Sequence, residues 1–587
     1  MELKRLFDLL EHRKTLFPDK AVFAVKKDKQ WHKISIDDYI NNANAISYAL
    51  LHLGVSRGDR IAMIVSNRPE WNFVDMGVQQ VGAALVPIYP TISEDDYCFI
   101  LNDCLPKLII VDNESLLHKL EPILSQLPEQ PLIYLVERKL SQWPLLDDLV
   151  ALGTEHPAPE RVSQIKASIG TRDLVTMIYT SGTTGNPKGV MLCHENILTC
   201  VFGVRNTPMP YFSRAMSFLP LCHIYERMMC YLYQYMGYEI YYAESLGRVA
   251  DNIREVRPHM MTAVPRFIEK MYDGIYRKGE KMKGMSKNIF YWALNLATQY
   301  DLDCKSFSFG LRRFVADLLV YRKIRASFGG SLEMIVSGGS AIQPRLARFF
   351  TCINMNIYEG YGLTETSPVI AVSNSQPGGR KLGTAGMPLD GIEVRVIDGT
   401  NEIVCRGKTV MLGYYNRPDL TAQAIDADGW FHTGDTGAFE PEGQLRITGR
   451  TKSMFKTSMG KFVNPETLES KFKESPFVLD MMVVGENQKF AAAIILPDFN
   501  FLKEWQERHG IHCNTHAEML ADQRTIERYQ KVVEKYNAFF GKTEQIHRYK
   551  LIDDDWTVQN GCLTPTLKVK RTFVSNRWKD EIEALFK

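Results

Sequence analysis

Between residues 58 and 90 short apolar runs alternate with longer segments of helical period. "RIAMIVS" (60–66) and "AALVPIYP" (83–90) read as strands, and "EWNFVDMGVQQVG" (70–82) between them reads as a helix. The alternation returns at "KLIIVD" (107–112), "PLIYLV" (131–136) and "SLEMIVSGGS" (331–340). Strands interleaved with helices predict an α/β fold with substantial parallel sheet. Residues 266 to 328 break the pattern, because "RFIEKMYDGIYRKGEKMKGMSKNIFYWALNLATQY" and "GLRRFVADLLVYRKIRASF" have the period of long amphipathic helices. Their lysine-rich surface is read as a solvated face, with a membrane-facing role as the other option. After about 380 the texture turns to short strands and glycine turns, read as a β-barrel-like subdomain. The last part, from about 454 to 587, reads as a small α+β domain with inserted helices at 501–545.

Composition narrows the function classes. The chain has 587 residues, room for two to four domains. Its 70 basic and 68 acidic residues leave a net charge of +2, so no global field draws it to nucleic acid or to an anionic membrane. The start "MELKRLFDLLEHRKTLF" carries charge in every turn, unlike a signal peptide, and no window has the roughly 18 uncharged apolar residues of a spanning helix. The expected location is therefore cytoplasmic, with peripheral contact at the inner face of a membrane left open. The apolar stretch "MMCYLYQYMGYEIYYA" (228–243) reads as core or as the wall of an acyl channel. Eleven scattered cysteines contain no C-x-x-C pair, which fits reduced thiols rather than zinc or disulfides.

Five short stretches concentrate chemistry. "YTSGTTGNPK" (179–188) follows the apolar run "DLVTMIY" and precedes the helix-compatible "GVMLCHENILTCVFGV", the setting in which backbone N–H groups meet an anion. It is not a Walker loop, since the sixth position from Gly182 is Pro187 and Gly189 follows Lys188. A plain polar turn and a phosphate-holding loop both fit it. "VSGGS" (336–340) ends a strand in Gly338, Gly339 and Ser340. In "YEGYGLTET" (358–366), Tyr361 is suited to stacking on a base, Thr364 to bonding a phosphate and Glu365 to holding Mg²⁺. "GWFHTGD" (429–435) places Asp435 after a glycine turn, fit to accept from ribose hydroxyls, and "ITGRTK" (447–452) adds Arg450 and Lys452 on a turn. Each alone is equally a turn, a core tyrosine or a surface ion pair.

The order of these stretches from 179 to 571, closed by "NGCLTPTLKVKR", resembles the adenylate-forming superfamily of acyl-CoA synthetases, coumarate ligases, peptide-synthetase adenylation domains and luciferases. "LPLCHIYER" (219–227), "AVPRFIEKMYDGI" (263–275) and "LTPTLKVKR" look like its long-chain fatty acid–CoA ligase branch. The resemblance implies a large N-terminal domain (1–450) of stacked mixed sheets binding the acid and ATP. It also implies a small mobile lid domain (451–587) hinged near Lys452. The implied reaction couples a fatty acid to ATP through an acyl-adenylate and passes it to CoA, with Mg²⁺ on the phosphates. It implies catalytic roles for Lys568, Thr364, Glu365 and His223, with Glu365 and Thr180 at the metal. The nucleotide would be held by Thr180, Ser181, Gly182, Thr183, Thr184, Gly185 and Lys188. Gly338, Gly339, Ser340, Tyr358, Glu359, Gly360, Tyr361 and Gly362 would add to that site, as would Asp435, Ile447, Arg450 and Lys452.

Strand alternation places Lys568 and Lys570 on one face, with Leu567 and Val569 on the other; the family motif selects Lys568. Lys570 and Arg571 are left as solvated charge or contacts to CoA phosphates. Two departures stand out. Met459 in "TSMGKF" replaces a usual glycine, which keeps an acyl-AMP or acyl-carrier-protein ligase as the alternative, and Arg227 takes the place of an aromatic gate at the acyl-tunnel mouth. The partners implied are fatty acid, ATP and CoA, with no nucleic acid and with monomer and homodimer both open.

Overall fold

The computed structural model describes residues 3–137, 143–180, 186–303, 306–451, 454–458, 462–542, 544–564 and 567–587. By internal contacts it separates into two units. The first is Met1–Arg395, Val404–Thr433 and Phe439–Arg446; the second is Val396–Ile403, Gly434–Ala438 and Ile447–Lys587. Asp435 and Arg450 are thus grouped with the C-terminal residues.

Two large sheets organise the first unit. One has seven strands, in the order 413–414, 188–193, 174–180, 84–87, 60–64, 108–113 and 132–137. From Leu174–Thr180 to Leu132–Glu137 its neighbours run parallel. The other has nine strands, in the order 387–388, 371–372, 356–361, 334–337, 260–263, 214–217, 239–242, 23–27 and 30–34. It is parallel from Asn356–Tyr361 through to Phe23–Lys27. The run "PLIYLV" is the last strand of the seven-stranded sheet, and the other apolar runs seen in the sequence are central strands of the two sheets. Being covered on both faces, they lack polar alternation.

Helices Pro69–Gln80, His194–Val204 and Ile224–Tyr235 give residues of one continuous core shared with strands of both sheets, including Ile61, Leu85 and Val190 from one and Ile240, Met260 and Val336 from the other. Pro69–Gln80 buries every residue but Glu70. The stretch 228–243 is core here, as helix and as the strand Glu239–Tyr242. The described residues of 265–326 form the expected helices, Pro265–Glu280, Gly284–Thr298 and Phe307–Ala316 among them, over a second core. The region read as barrel-like is a four-stranded sheet in the order 392–396, 402–407, 431–439 and 445–450. In the second unit, strands Val478–Val484, Ala491–Pro497 and Ile546–Leu551 carry helices Phe499–Arg508, His516–Ala521 and Gln523–Asn537, the inserted helices of 501–545. The ten described cysteines are free thiols.

Candidate active site

In parallel sheets, ligands gather beyond the carboxyl ends of the strands. Here strands Met334–Ser337 and Asn356–Tyr361 are parallel neighbours in register, Ser337 beside Glu359. "GGS" and "YGLTET" therefore leave the sheet side by side at the carboxyl ends of these two strands. Gly338 is buried against the Tyr225 ring, while Gly339 and Ser340 are exposed. Tyr361 is half-buried and packs against the main core. Gly362 has no room for a side chain, since a Cβ there would stand 1.8 Å from the Pro368 carbonyl oxygen. That close approach seats the short turn Thr364–Thr366, which carries buried Thr364 and half-buried Glu365.

The side chains of Tyr358 and Glu359 are already engaged. Tyr358 lies under the Arg380 guanidinium, 4.6 Å from its ring centre, with its hydroxyl 3.2 Å from Ser375 Oγ. The Gly383 N–H donates to Glu359 Oε1 at 3.1 Å. Desolvation pushes the Glu359 carboxyl up to about 8, against the Gly383 N–H, Arg380 and Arg446, which favour its charged form. A carboxyl raised from an ordinary value of 4.5 gives stability that is complete below that pH and is lost as pH rises towards about 8. Glu359→Gln is thus expected to match the wild type in Tm near pH 5 and exceed it at pH 9. A constant difference between the two across that range would refute the assignment.

The loop 179–188 differs from its expected setting. "GVMLC" is not the start of a helix: Lys188–Cys193 is a strand, antiparallel to Leu174–Thr180 with Thr180 beside Lys188, and the helix begins only at His194. The two strands form a hairpin, so the stretch between Thr180 and Lys188 leads into a strand and not into a helix. The cause lies in "HENI", where the Asn196 side chain accepts from the Cys193 N–H and sets the helix start there. Ser181, Gly182, Thr183, Thr184 and Gly185 lie outside the described residues. At the hairpin's base the Lys188 ammonium sits 5.1 Å from the centre of the Tyr414 ring, and the Tyr414 hydroxyl donates to Glu365 Oε1 at 2.8 Å. The Met411 N–H donates to the Glu365 carbonyl at 2.8 Å, and Gly413–Tyr414 pairs with Val190 and Met191. Strand pairing thus brings Lys188 and Glu365, 177 positions apart in the numbering, to one place. Sequence reading passed over Tyr414; its only signal is an aromatic next to the glycine of "LGYYN".

His223 is the N-cap of helix Ile224–Tyr235, and its Nδ1 accepts from the Tyr225 N–H at 3.1 Å. Arg227 is no gate. It is 1% exposed, ion-paired with Asp75, and donates to Thr176 Oγ1 and Tyr231 Oη at 2.8 Å each. Helix Pro69–Gln80 carries Asp75 into the core, and a buried carboxylate demands a cation.

In the second unit three distant motifs share a locality. Asp435 lies inside the strand Phe431–Phe439, not after a turn; Gly434 before it has φ +69°, which kinks that strand. Arg450 Nε donates to the buried Asp435 carboxylate at 2.7 Å, and Ile447 is half-buried on the same strand as Arg450. Lys568 is exposed and follows Leu567, whose φ is +62°, and Leu563 bridges Val569. The regular strand invoked for residues 567–570 is therefore interrupted at Leu567, although Leu567 and Val569 do pack on one core. Although the Lys568 side chain reaches solvent, the protein crowded around its ammonium and then the Arg450 charge hold it below its ordinary value, while Glu466 and Asp435 oppose them. Arg571, half-buried, is not spare: it pairs with Glu469 at 2.6 Å. Lys452 and Met459 lie outside the described residues.

The chain matches a family model of AMP-binding enzymes over residues 10–415 and one of the AMP-binding enzyme C-terminal domain over 453–587. It is 32% identical to long-chain-fatty-acid–CoA ligase FadD15 of Mycobacterium bovis, over 97% of this chain and 95% of that protein. To the peroxisomal long chain acyl-CoA synthetase 6 of Arabidopsis thaliana it is 31% identical, over 92% and 80%. Among solved structures, the adenylation domain of a carboxylate reductase from Mycobacterium chelonae superposes with a TM-score of 0.79 at 19% identity, covering 99% of this chain and 91% of that one. Matched in both its parts, the chain belongs to the AMP-binding enzyme family.

Proposed function

We propose that the protein activates a long-chain fatty acid with ATP, through an acyl-adenylate, and transfers the acyl group to CoA, releasing AMP and pyrophosphate. The observation that carries the reading is the contact chain from Lys188 through Tyr414 to Glu365, which sets a cation and a carboxylate together at the foot of the glycine- and hydroxyl-rich loop. The substrate class follows the likeness, along nearly the whole chain, to ligases named for long-chain fatty acids.

The first step joins two anions. A carboxylate oxygen bonds to the α-phosphorus as the bond to the bridging oxygen breaks and pyrophosphate leaves. The assigned work of Lys188, Thr180 and residues 181–185 is to hold the departing phosphates through the ammonium, hydroxyls and N–H groups. Tyr361 would cover the base beside Gly338 and Gly339. Asp435, fixed by Arg450, would accept from the ribose hydroxyls, and Ile447, Lys452, Ser340, Gly360 and Gly362 would complete the nucleotide's surroundings. The carboxylate of Glu365 and the hydroxyl of Thr180 are hard oxygen donors that fit Mg²⁺; Mg²⁺, when bound, supplies neutralisation of phosphate charge. Thr364 would bond the α-phosphate, His223 would border the fatty carboxylate, and Lys568 would bridge the two reacting anions. In the second step the CoA sulfur bonds to the acyl carbon, the acyl–phosphate bond breaks and AMP leaves, the thiol proton passing to solvent.

Purified protein given Mg-ATP, palmitate and CoA is expected to form AMP and palmitoyl-CoA in equal amounts, followed by chromatography. Pyrophosphate release without thioester would transfer the reading to a carrier-protein acceptor, and failure to exchange labelled pyrophosphate into ATP with any aliphatic acid would end it.

A further inference from the structure

Among the helices over the second core, the run from Phe307 to Ala326 is apolar on two sides. One side is ordinary: Phe309, Ala316, Val320, Tyr321 and Ile324 are buried in that core, and the Tyr321 hydroxyl donates to the Ala293 carbonyl at 2.7 Å. The other side is open among the described residues. Phe307, Leu311, Phe314, Val315, Leu318 and Leu319 recur at steps of one, three and four, the spacing of one helical face, and all six are exposed, Phe307 to 87% and Phe314 to 61%. Trp292, on the neighbouring helix Gly284–Thr298 and next to Ala293, is exposed too. Contiguous large apolar side chains of this kind mark a surface that something covers.

Charge tells what covers it. The run holds five cations and a single carboxylate, Asp317, which is tied to Arg325 at 2.6 Å. Arg312, Arg322 and Lys323 are exposed, and among the described residues no carboxylate pairs with them. Apolar side chains up to the size of phenylalanine, flanked by cations, suit a surface that is oily below and negative above: the boundary between acyl chains and anionic headgroups. Among the described residues no helix is long and apolar enough to cross a membrane, so the contact is one of lying on the bilayer.

We propose that the outer face of helix 307–319, flanked by Arg312, Arg322 and Lys323, docks the protein on an anionic lipid bilayer with the helix in the interfacial plane. The contact lies outside the candidate active site and goes beyond the ligase reading.

The test is co-sedimentation of the full chain with vesicles of phosphatidylcholine, with and without phosphatidylglycerol. The wild type is expected to sediment with the anionic vesicles and to be released by salt. Phe314→Glu with Leu318→Glu removes two apolar side chains, each equivalent to about tenfold in partitioning, and is expected to lower binding about 100-fold. Arg312→Gln, Arg322→Gln and Lys323→Gln, at about fivefold per charge, are expected to abolish the preference for phosphatidylglycerol while leaving Tm unchanged. All these residues are exposed, so both variants should fold and keep their activity on a water-soluble acid. Lys568→Ala is expected to bind vesicles as well as the wild type, which separates this result from the fate of the ligase reading. Equal vesicle binding by the Glu variant would overturn the proposal. So would absence of wild-type binding, or a concentration-dependent dimer that the same two substitutions dissolve.

Discussion

Lys568→Ala is expected to lower adenylate formation by about 10²–10³-fold, the scale of losing one preorganised charge at a centre where negative charge gathers. Thioester formation from synthetic palmitoyl-AMP and CoA is expected to stay near the wild-type rate. The split follows from what a lysine there can do. It neutralises two anions that must approach one another, and that demand ends once the adenylate has formed. Asp435 and Arg450 share its surroundings, and Lys568 feels both charges. Desolvation and Arg450 weaken its hold on the proton. Adenylation should therefore fall off on the alkaline side at a pH lower than that of an ordinary lysine, and the Ala variant should lack that limb. Lys568→Arg keeps the charge but presents it as a planar fork, and should restore only part of the rate. Equal loss in both half-reactions would take the assignment away from Lys568.

The parallel strands could be read from the chain because both their faces are covered, which makes each a short run of unbroken apolar residues bounded by glycine or proline. "RIAMIVS" and "SLEMIVSGGS" are such runs, and both are strands. Side-chain engagements set by pairing across the fold left no local trace. Nothing near "LGYYN" states that its first tyrosine meets a glutamate 49 positions earlier, because that contact depends on residues 413–414 adding to the edge of the hairpin. "GVMLC" failed for a related reason: five apolar and small residues fit a helix or a strand equally, and partnership with "LVTMIYT" decided the matter. The glycine of "HTGD" likewise reads as a turn, when it is a kink within one long strand. The motif marks Lys568, whereas strand alternation does not hold there, since Leu567 takes the left-handed conformation that ends a regular strand.

Arg227 gives the sharpest contrast between a motif position and its environment. As a gate it would move, and its replacement would change which acids enter. As the structure places it, the guanidinium is closed in by Asp75, Thr176 and Tyr231 and stands 5.1 Å from the centre of the Trp71 ring. Arg227→Met leaves the Asp75 carboxylate buried without its cation, a loss on the order of 3–5 kcal/mol. Urea unfolding followed by tryptophan emission should show that loss as a lower midpoint. Adding Asp75→Leu removes the stranded charge, and apolar replacement of a buried pair is often close to neutral, so the double variant should regain most of the stability. Gln79 and Tyr231, whose side chains donate to Asp75 at 2.9 and 2.5 Å, both lose that acceptor in the double variant, and among the described residues Gln79 keeps only the Tyr231 hydroxyl at 3.3 Å; recovery should therefore stop short of complete. The preference among acids of different length, measured on folded protein, should be the same in wild type and double variant. A single variant of unchanged stability with an altered length preference would return Arg227 to the gate.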